Sequence, residues 1–118
     1  LLAAYRLTQK AAGVGFDWSE PEPVYAKVEE ELDEVRSATG AADPTVAEEV
    51  GDLLFAVVNL SRHLGVDPEG ALAATNRKFR RRFAHVEREL AARGRRPDES
   101  DLEEMDRLWE DAKRRETR

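Results

Sequence analysis

The sequence predicts an all-α fold, a bundle of about five helices, from its residue usage and its hydrophobic pattern. Ala, Glu, Arg and Leu dominate the 118 residues, and all four have high helix propensity. No stretch alternates apolar and polar residues with the two-residue period of a half-buried strand. The length suffices for one hydrophobic core, so we expect a single domain over residues 1–118.

Glycine and proline residues bound the first two predicted helices. The first helix spans residues 2–14 and ends before Gly15. The second begins near Pro23, a residue that is tolerated in the first turn of a helix, and stops at Gly40. The intervening residues 15–23 are therefore predicted to form a turn.

Aspartate–proline pairs mark the starts of the third and fourth helices. Asp43–Pro44 and Asp67–Pro68 each supply an N-cap residue followed by a proline for the first helical position. The fourth helix is expected to run to about residue 93. For the fifth, Ser100 with Glu103 predicts a capping box.

Apolar residues recur at helical spacing in the last three helices. The third is apolar almost all round from Val50 to Leu60, so we expect it to be the central helix. Because such a helix needs cover on several sides, we also expect a homodimer. The stripes of the fourth and fifth helices comprise Leu72, Phe79, Phe83, Val86 and Leu90, and Leu102, Met105, Trp109 and Ala112.

Composition excludes several classes of function. The chain has no cysteine, which excludes a disulfide scaffold, a thiolate zinc site and a cysteine nucleophile. Its richest apolar run is interrupted by Asp52 and Asn59, so no membrane span is expected. No basic-then-apolar leader opens the sequence, and we expect a cytoplasmic protein.

The formal net charge of −6 hides two segments of opposite charge. Residues 17–52 contain twelve acidic and two basic residues, whereas residues 77–96 contain nine basic and two acidic ones. The first segment is suited to attract cations and the second to attract anions. A ligand that carries both a metal ion and phosphate would use both.

Two acidic pairs lie beside the apolar stripes of the second and third helices. The stripe of the second helix comprises Val28, Leu32 and Val35. At about 100° per residue, Glu31 and Glu34 lie at one edge of it, and Glu49 and Asp52 repeat the i, i+3 spacing on the third helix. A carboxylate beside an apolar core costs free energy unless it is paired or binds a metal ion. The four acids therefore predict a cup of oxygen ligands for Mg²⁺ or Mn²⁺. A solvated face, or the helix dipole at Glu49, explains them equally well.

Lys78 and Arg82 are the bases best placed to hold an anion in a cleft. On the fourth helix Arg82 lies about 60° and Lys78 about 100° to one side of Phe79, again beside the apolar stripe. The arginine offers a planar fork and the lysine a point charge. A solvated face or a nucleic-acid patch explains the same residues equally well.

Five stretches of the sequence match one known family. Lys27–Val35 and Glu48–Ala56 contain the pattern E-E-x-x-E, a spacer and E-x-x-D, and residues 14–18, 76–83 and 102–109 match as well. Together they resemble the MazG nucleoside triphosphate pyrophosphohydrolases over almost the whole chain. The resemblance is closest to the C-terminal of the two related domains found in longer MazG proteins.

This resemblance implies an all-α NTP pyrophosphatase fold, a homodimer and Mg²⁺-dependent hydrolysis of nucleoside triphosphates to monophosphate and pyrophosphate, a housecleaning of the nucleotide pool. The implied metal ligands are Glu31, Glu34, Glu49 and Asp52. Lys27, Lys78 and Arg82 match positions near the phosphates, and Trp109 matches a nucleotide-contacting position. Spacing alone would place Trp109 in the core.

Water is the expected nucleophile, because the sequence offers no plausible serine, cysteine or histidine nucleophile set. Glu31 and Glu34 would hold the metal that activates this water, and Glu30 is a candidate base or outer hydrogen-bond acceptor. Cleavage at the α-phosphorus is implied by the family alone. Three alternatives stay open: a dUTP-type pyrophosphatase of the same fold, a nucleic-acid-binding module that uses the basic fourth helix, and a non-catalytic regulatory bundle.

Overall fold

The computed structural model describes residues 1–41 and 43–117, and every regular element in these ranges is helical. The helices are α1 (Leu2–Gly13), α2 (Glu22–Gly40), α3 (Val46–His63), α4 (Pro68–Ala92) and α5 (Leu102–Glu116), with a short 3₁₀ helix at Pro97–Glu99. The all-α prediction is therefore confirmed. Within the described ranges, no helix is both long and apolar enough to cross a bilayer.

The chain forms two compact units, residues 1–71 and residues from 72 onward. In the first unit α3 packs against both α1 and α2, and more extensively against α2. Val24 of α2 and Val58 of α3 are among the most completely buried side chains. As its apolar sequence predicts, α3 is the central helix of this unit. The single domain over residues 1–118 stays a prediction.

The buried face of α2 differs from the predicted one. Val24, Glu31 and Ala38 are its buried residues, whereas Leu32 of the predicted stripe is exposed. Residues seven positions apart on an α-helix differ by only about 20° in direction, so these three share one face. Glu31 consequently lies at the centre of the buried face of α2 and not at its edge.

The core of the second unit is formed by α4 and α5. It comprises Val86, Leu90 and Leu108, with Phe83, Met105 and Trp109 packed against it. Three residues of the predicted stripes, Leu72, Phe79 and Leu102, are exposed instead. Leu108, which the predicted stripe of α5 omitted, is buried because it shares the inward face with Ala112, four residues further on.

The predicted start of α3 is wrong by two residues. Asp43 accepts hydrogen bonds from the backbone N–H of Thr45 at 2.9 Å and from its hydroxyl at 2.8 Å. This local turn occupies the aspartate that was expected to cap the helix, which begins only at Val46. The matching pair Asp67–Pro68 does start α4, and Asp67 accepts the N–H of Glu69 at 3.1 Å.

The predicted cap of α5 is wrong by one residue. Asp101, not Ser100, is the N-cap, and its carboxylate accepts the backbone N–H of Glu104 at 2.8 Å. The Ser100 hydroxyl instead donates a hydrogen bond to the Glu104 carboxylate. Glu103, the predicted partner in the capping box, pairs with Arg107 at 3.3 Å.

Candidate functional site

Three carboxylates from the neighbouring helices α2 and α3 lie close together. Glu31, Glu49 and Asp52 each offer one oxygen atom, and these oxygens all lie within 4.8 Å of one another. Glu31 is buried, Glu49 is half-buried and Asp52 is exposed. Packing of α2 against α3 thus joins acids from both predicted pairs in one cluster.

Glu34 is exposed and lies outside this cluster of three. Its negative charge nevertheless acts on the carboxyl group of Glu49. Burial is the first cause of the raised pKa of Glu49, and the negative charge of Glu34 is the second. The carboxylates of Asp52 and Glu31 raise this pKa further. The carboxylates of the cluster therefore repel one another, and a bound cation would offset this repulsion.

Lys27 neutralises one side of the cluster. Its Nζ lies 3.0 Å from Oε1 of the buried Glu31 and 3.5 Å from Oε1 of Glu30. The hydrogen bond to Glu31 is the main cause of the raised pKa of Lys27, so the ammonium group is charged at neutral pH. Lys27 and Glu30 therefore form a charged edge next to the acidic cluster.

The acidic cluster opens onto a cleft of about 840 Å³ within the first unit. Small-molecule sites in proteins have volumes of about 300–1,000 Å³. The apolar part of its wall includes Leu7, Ala11, Phe16, Trp18, Phe55 and Ala56. The polar part includes Lys27, Glu30, Glu31, Asp52, Asn59 and Arg62. The cleft thus joins an apolar surface with aromatic rings to the carboxylates.

Asp17 ties the loop between α1 and α2 to the end of α3. Its Oδ1 accepts hydrogen bonds from Arg62 Nη2 at 2.8 Å, from His63 Nε2 at 2.7 Å and from the Trp18 N–H at 2.9 Å. The bond from Arg62 is the main cause that lowers the pKa of Asp17 to about 2. Sequence reasoning missed this contact, although an acid between two aromatic residues, Phe16 and Trp18, was a possible signal.

The second unit contains the remaining predicted site residues. The Arg82 guanidinium lies over the ring of Trp109, 5.7 Å from its centroid, and the ring of Phe79 is 5.2 Å from that of Trp109. Trp109 packs against the core, as its spacing predicts, while part of its surface stays accessible. Lys78 is exposed on α4. The unit therefore brings Arg82 and Trp109 together in one patch.

Acids of α5 neutralise part of the basic segment. Glu116 contacts Arg81 at 3.0 Å and Arg82 at 2.9 Å, and the hydrogen bond from Arg82 is the main cause of its lowered pKa. Glu104 likewise contacts Arg93 at 2.8 Å. The excess of positive charge counted along residues 77–96 is thus smaller in the folded chain than in the sequence.

A comparison with known protein families places the chain among them. The model of the MazG nucleotide pyrophosphohydrolase domain matches residues 19–87, which is more than half of the chain. The chain belongs to this family. The matched part of the MazG domain contains the acidic cluster together with Lys78 and Arg82, whereas Trp109 lies beyond it.

Sequence comparison with individual proteins gives the same family. The MazG domain described here is 48% identical over 119 residues to the nucleoside triphosphate pyrophosphohydrolase of Escherichia coli (strain K12), covering 98% of this chain and 45% of that protein. It is 47% identical over 113 residues to the nucleoside triphosphate pyrophosphohydrolase/pyrophosphatase MazG of Thermotoga maritima, covering 96% of this chain and 44% of that protein. The chain therefore spans less than half the length of these two relatives.

Proposed function

We propose that the chain hydrolyses nucleoside triphosphates to nucleoside monophosphates and pyrophosphate with the help of Mg²⁺. The observation that carries this proposal is the meeting of Glu31, Glu49 and Asp52, whose oxygens lie within 4.8 Å of one another. Glu31 and Asp52 also line a cleft large enough for a nucleoside. The names of the two long relatives support the class of substrate.

The donor set fits a hard divalent cation. Mg²⁺ and Mn²⁺ prefer oxygen ligands and are commonly held by carboxylates together with substrate phosphates. Burial and neighbouring negative charges raise the pKa of Glu49, and a bound cation would offset this repulsion. We assign Glu31, Glu49 and Asp52 as ligands, and Glu34, whose charge acts on Glu49, as the fourth.

The residues beside the cluster supply the remaining chemistry. A bound Mg²⁺ neutralises phosphate charge and lowers the pKa of water. Lys27, on the cleft wall, holds a phosphate oxygen, and Glu30 beside it accepts the proton of the attacking water. Glu30 suits this role because its side chain is 59% exposed and its contact with Lys27 is long, at 3.5 Å.

Lys78, Arg82 and Trp109 bind the nucleotide in this proposal. The family resemblance assigns Lys78 and Arg82 to the phosphates and Trp109 to the nucleotide. Arg82 would exchange its ion pair with Glu116, 2.9 Å away, for a phosphate oxygen. The same basic helix is what a nucleic-acid-binding module would use. The ion pairs of Arg81 and Arg82 with Glu116 leave fewer unneutralised bases on this helix, which favours a small anion over a polymer.

We also propose a homodimer formed through α3. Val50, Leu54 and Val57 lie on one face of this helix and are exposed, Leu54 to 54%. Three large apolar side chains in a row are typical of an interface. A second copy of the chain would give α3 the cover that its apolar sequence requires.

Incubation with Mg²⁺ and a panel of triphosphates, including dUTP, tests the activity. We expect release of pyrophosphate, identified separately from orthophosphate. Release of orthophosphate alone would contradict the position of cleavage, and turnover of dUTP alone would favour the specialised alternative. No turnover, together with salt-sensitive binding of oligonucleotides, would favour the nucleic-acid-binding module.

A pair of matched variants tests the site. Asp52→Asn removes one ligand charge and should lower kcat about 100-fold or more, with an unchanged circular dichroism spectrum. Asp33→Asn is the control, because Asp33 is an exposed acid of α2 that pairs with Arg36. Equal rates for wild type and Asp52→Asn at saturating Mg²⁺ would show that the assigned centre is wrong.

A further inference from the structure

We propose that Asp17 is a positioning residue. Held by Arg62 and His63, it fixes residues 15–18 as an aromatic wall of the cleft and so determines how tightly the nucleoside part of the substrate binds. This inference rests on the proposed function, because it concerns the same cleft. It assigns Asp17 to binding and not to the hydrolytic step.

The contacts of Asp17 converge on a single atom. Its Oδ1 accepts hydrogen bonds from Arg62, His63 and the backbone of Trp18, all between 2.7 and 2.9 Å. The side chains of Arg62 and His63 are largely buried, at 13% and 10% exposure. Asn59 holds Arg62 in turn, because its Oδ1 accepts from Arg62 Nη2 at 2.9 Å. The network therefore fixes its donors as well as its acceptor.

The other end of the same loop is fixed to α1. Gly15 has φ 93°, in the left-handed region that favours glycine, and this lets the chain turn out of the helix. The N–H of Phe16 then donates to the Ala11 carbonyl at 3.0 Å. The four-residue loop is thus hydrogen-bonded to α1 at its start and to the end of α3 at Asp17.

The two residues that flank Asp17 supply the wall. Phe16 and Trp18 both line the cleft, in the same unit as Glu31 and Asp52. Aromatic faces stack with nucleobases, and one such contact changes affinity about five- to 150-fold. The hydrogen bonds fix the backbone that carries the two rings, which are exposed to a ligand, Phe16 to 82% and Trp18 to 43%. The loss of Asp17 should therefore weaken binding.

His63 permits a specific test because it contacts Asp17 without lining the cleft. Among the described residues, the cleft lining includes Arg62 but not His63. The Asp17 carboxylate is ionised at neutral pH and only accepts, so His63 Nε2 is the donor in their contact. An amide N–H of glutamine can replace this donor, whereas alanine cannot.

Steady-state kinetics with Mg²⁺ and ATP provide the first measurement. Asp17→Ala should raise KM about tenfold, and His63→Ala about fivefold, with kcat within about twofold of wild type. His63→Gln should restore most of the KM. Asp33→Ala, which removes an exposed acid of α2, should leave both constants unchanged.

Tryptophan fluorescence provides a second measurement that needs no turnover. In a Trp109→Phe background Trp18 is the sole tryptophan. Asp17→Ala should increase acrylamide quenching of Trp18 and lower its anisotropy, while Asp33→Ala should not.

The outcomes separate the two proposals. A wild type without turnover refutes the proposed function, and the fluorescence then decides alone whether Asp17 orders the loop. Active variants with unchanged KM, or with a lower kcat and unchanged KM, overturn the positioning role. Unchanged Trp18 fluorescence in Asp17→Ala overturns it as well.

Discussion

Glu31 occupies a position where a functional acid and a stable fold make opposite demands. Its side chain lies on the buried face of α2, and the residue is 8% exposed. Two other acids, Glu49 and Asp52, approach its carboxylate within 4.8 Å. We therefore expect Glu31→Met to stabilise the metal-free protein and to abolish hydrolysis.

The size of this effect follows from burial and from the contact with Lys27. A buried methionine contributes about 1.5–3 kcal/mol relative to an exposed one. Lys27 is 40% exposed, and the loss of its ion pair with Glu31 costs about 0–1 kcal/mol, since water can solvate the ammonium group. The free energy of unfolding should therefore rise by about 0.5–3 kcal/mol.

Urea denaturation in EDTA, followed by circular dichroism, measures the change. Glu34→Met is the matched control, because Glu34 lies three residues later on the same helix and is exposed. A methionine there gains little burial, so the stability should change by less than about 0.5 kcal/mol. If Glu31→Met is less stable than wild type in EDTA, the carboxylate is mainly structural. Retained turnover would refute its role as a ligand.

Two further predictions concern acid stability and assembly. The pKa of Asp17 is lowered to about 2, so its contribution to stability is complete above its ordinary value near 3.8 and is lost as the pH falls towards 2. The difference in unfolding free energy between wild type and Asp17→Asn should be constant above about pH 5 and shrink below about pH 4; a constant difference at all pH values would contradict the ion pair. Leu54→Glu, on the exposed face of α3, should halve the molar mass measured by light scattering, whereas Leu102→Glu, on exposed surface of α5, should not. A wild-type chain that is already monomeric would refute the α3 interface.

Many helix boundaries were predictable from single residues that affect only the local backbone. Gly15 and Pro23 bound the first two helices close to where they were expected, because glycine frees and proline restricts its own backbone, and α2 ends at Gly40 as predicted. The cap positions of α3 and α5 were less predictable. At α3 the Asp43 carboxylate bonds Thr45, and the N-cap Thr45 makes no side-chain cap bond, whereas at α5 Asp101 accepts the N–H of Glu104.

The acidic cluster was only half predictable. The i, i+3 spacing placed Glu49 with Asp52 and Glu31 with Glu34, since neighbours on one helix follow from its geometry. Of the four acids predicted to form one cup, the structure brings Glu31 together with Glu49 and Asp52 and leaves Glu34 outside the group of three. Which member of a pair faces another helix depends on the rotation of α2, and the buried Val24 and Ala38 fix that rotation.

The sequence by itself determined the helical class, the approximate helix boundaries and the acids from which a cation site can be built. These properties arise from backbone preferences and from spacing within a single helix. Only the tertiary structure decided that Glu31 faces α3 and that Asp17 meets Arg62, 45 residues further along the chain. Contacts of this kind depend on how apolar faces pack, and packing is a property of several helices together.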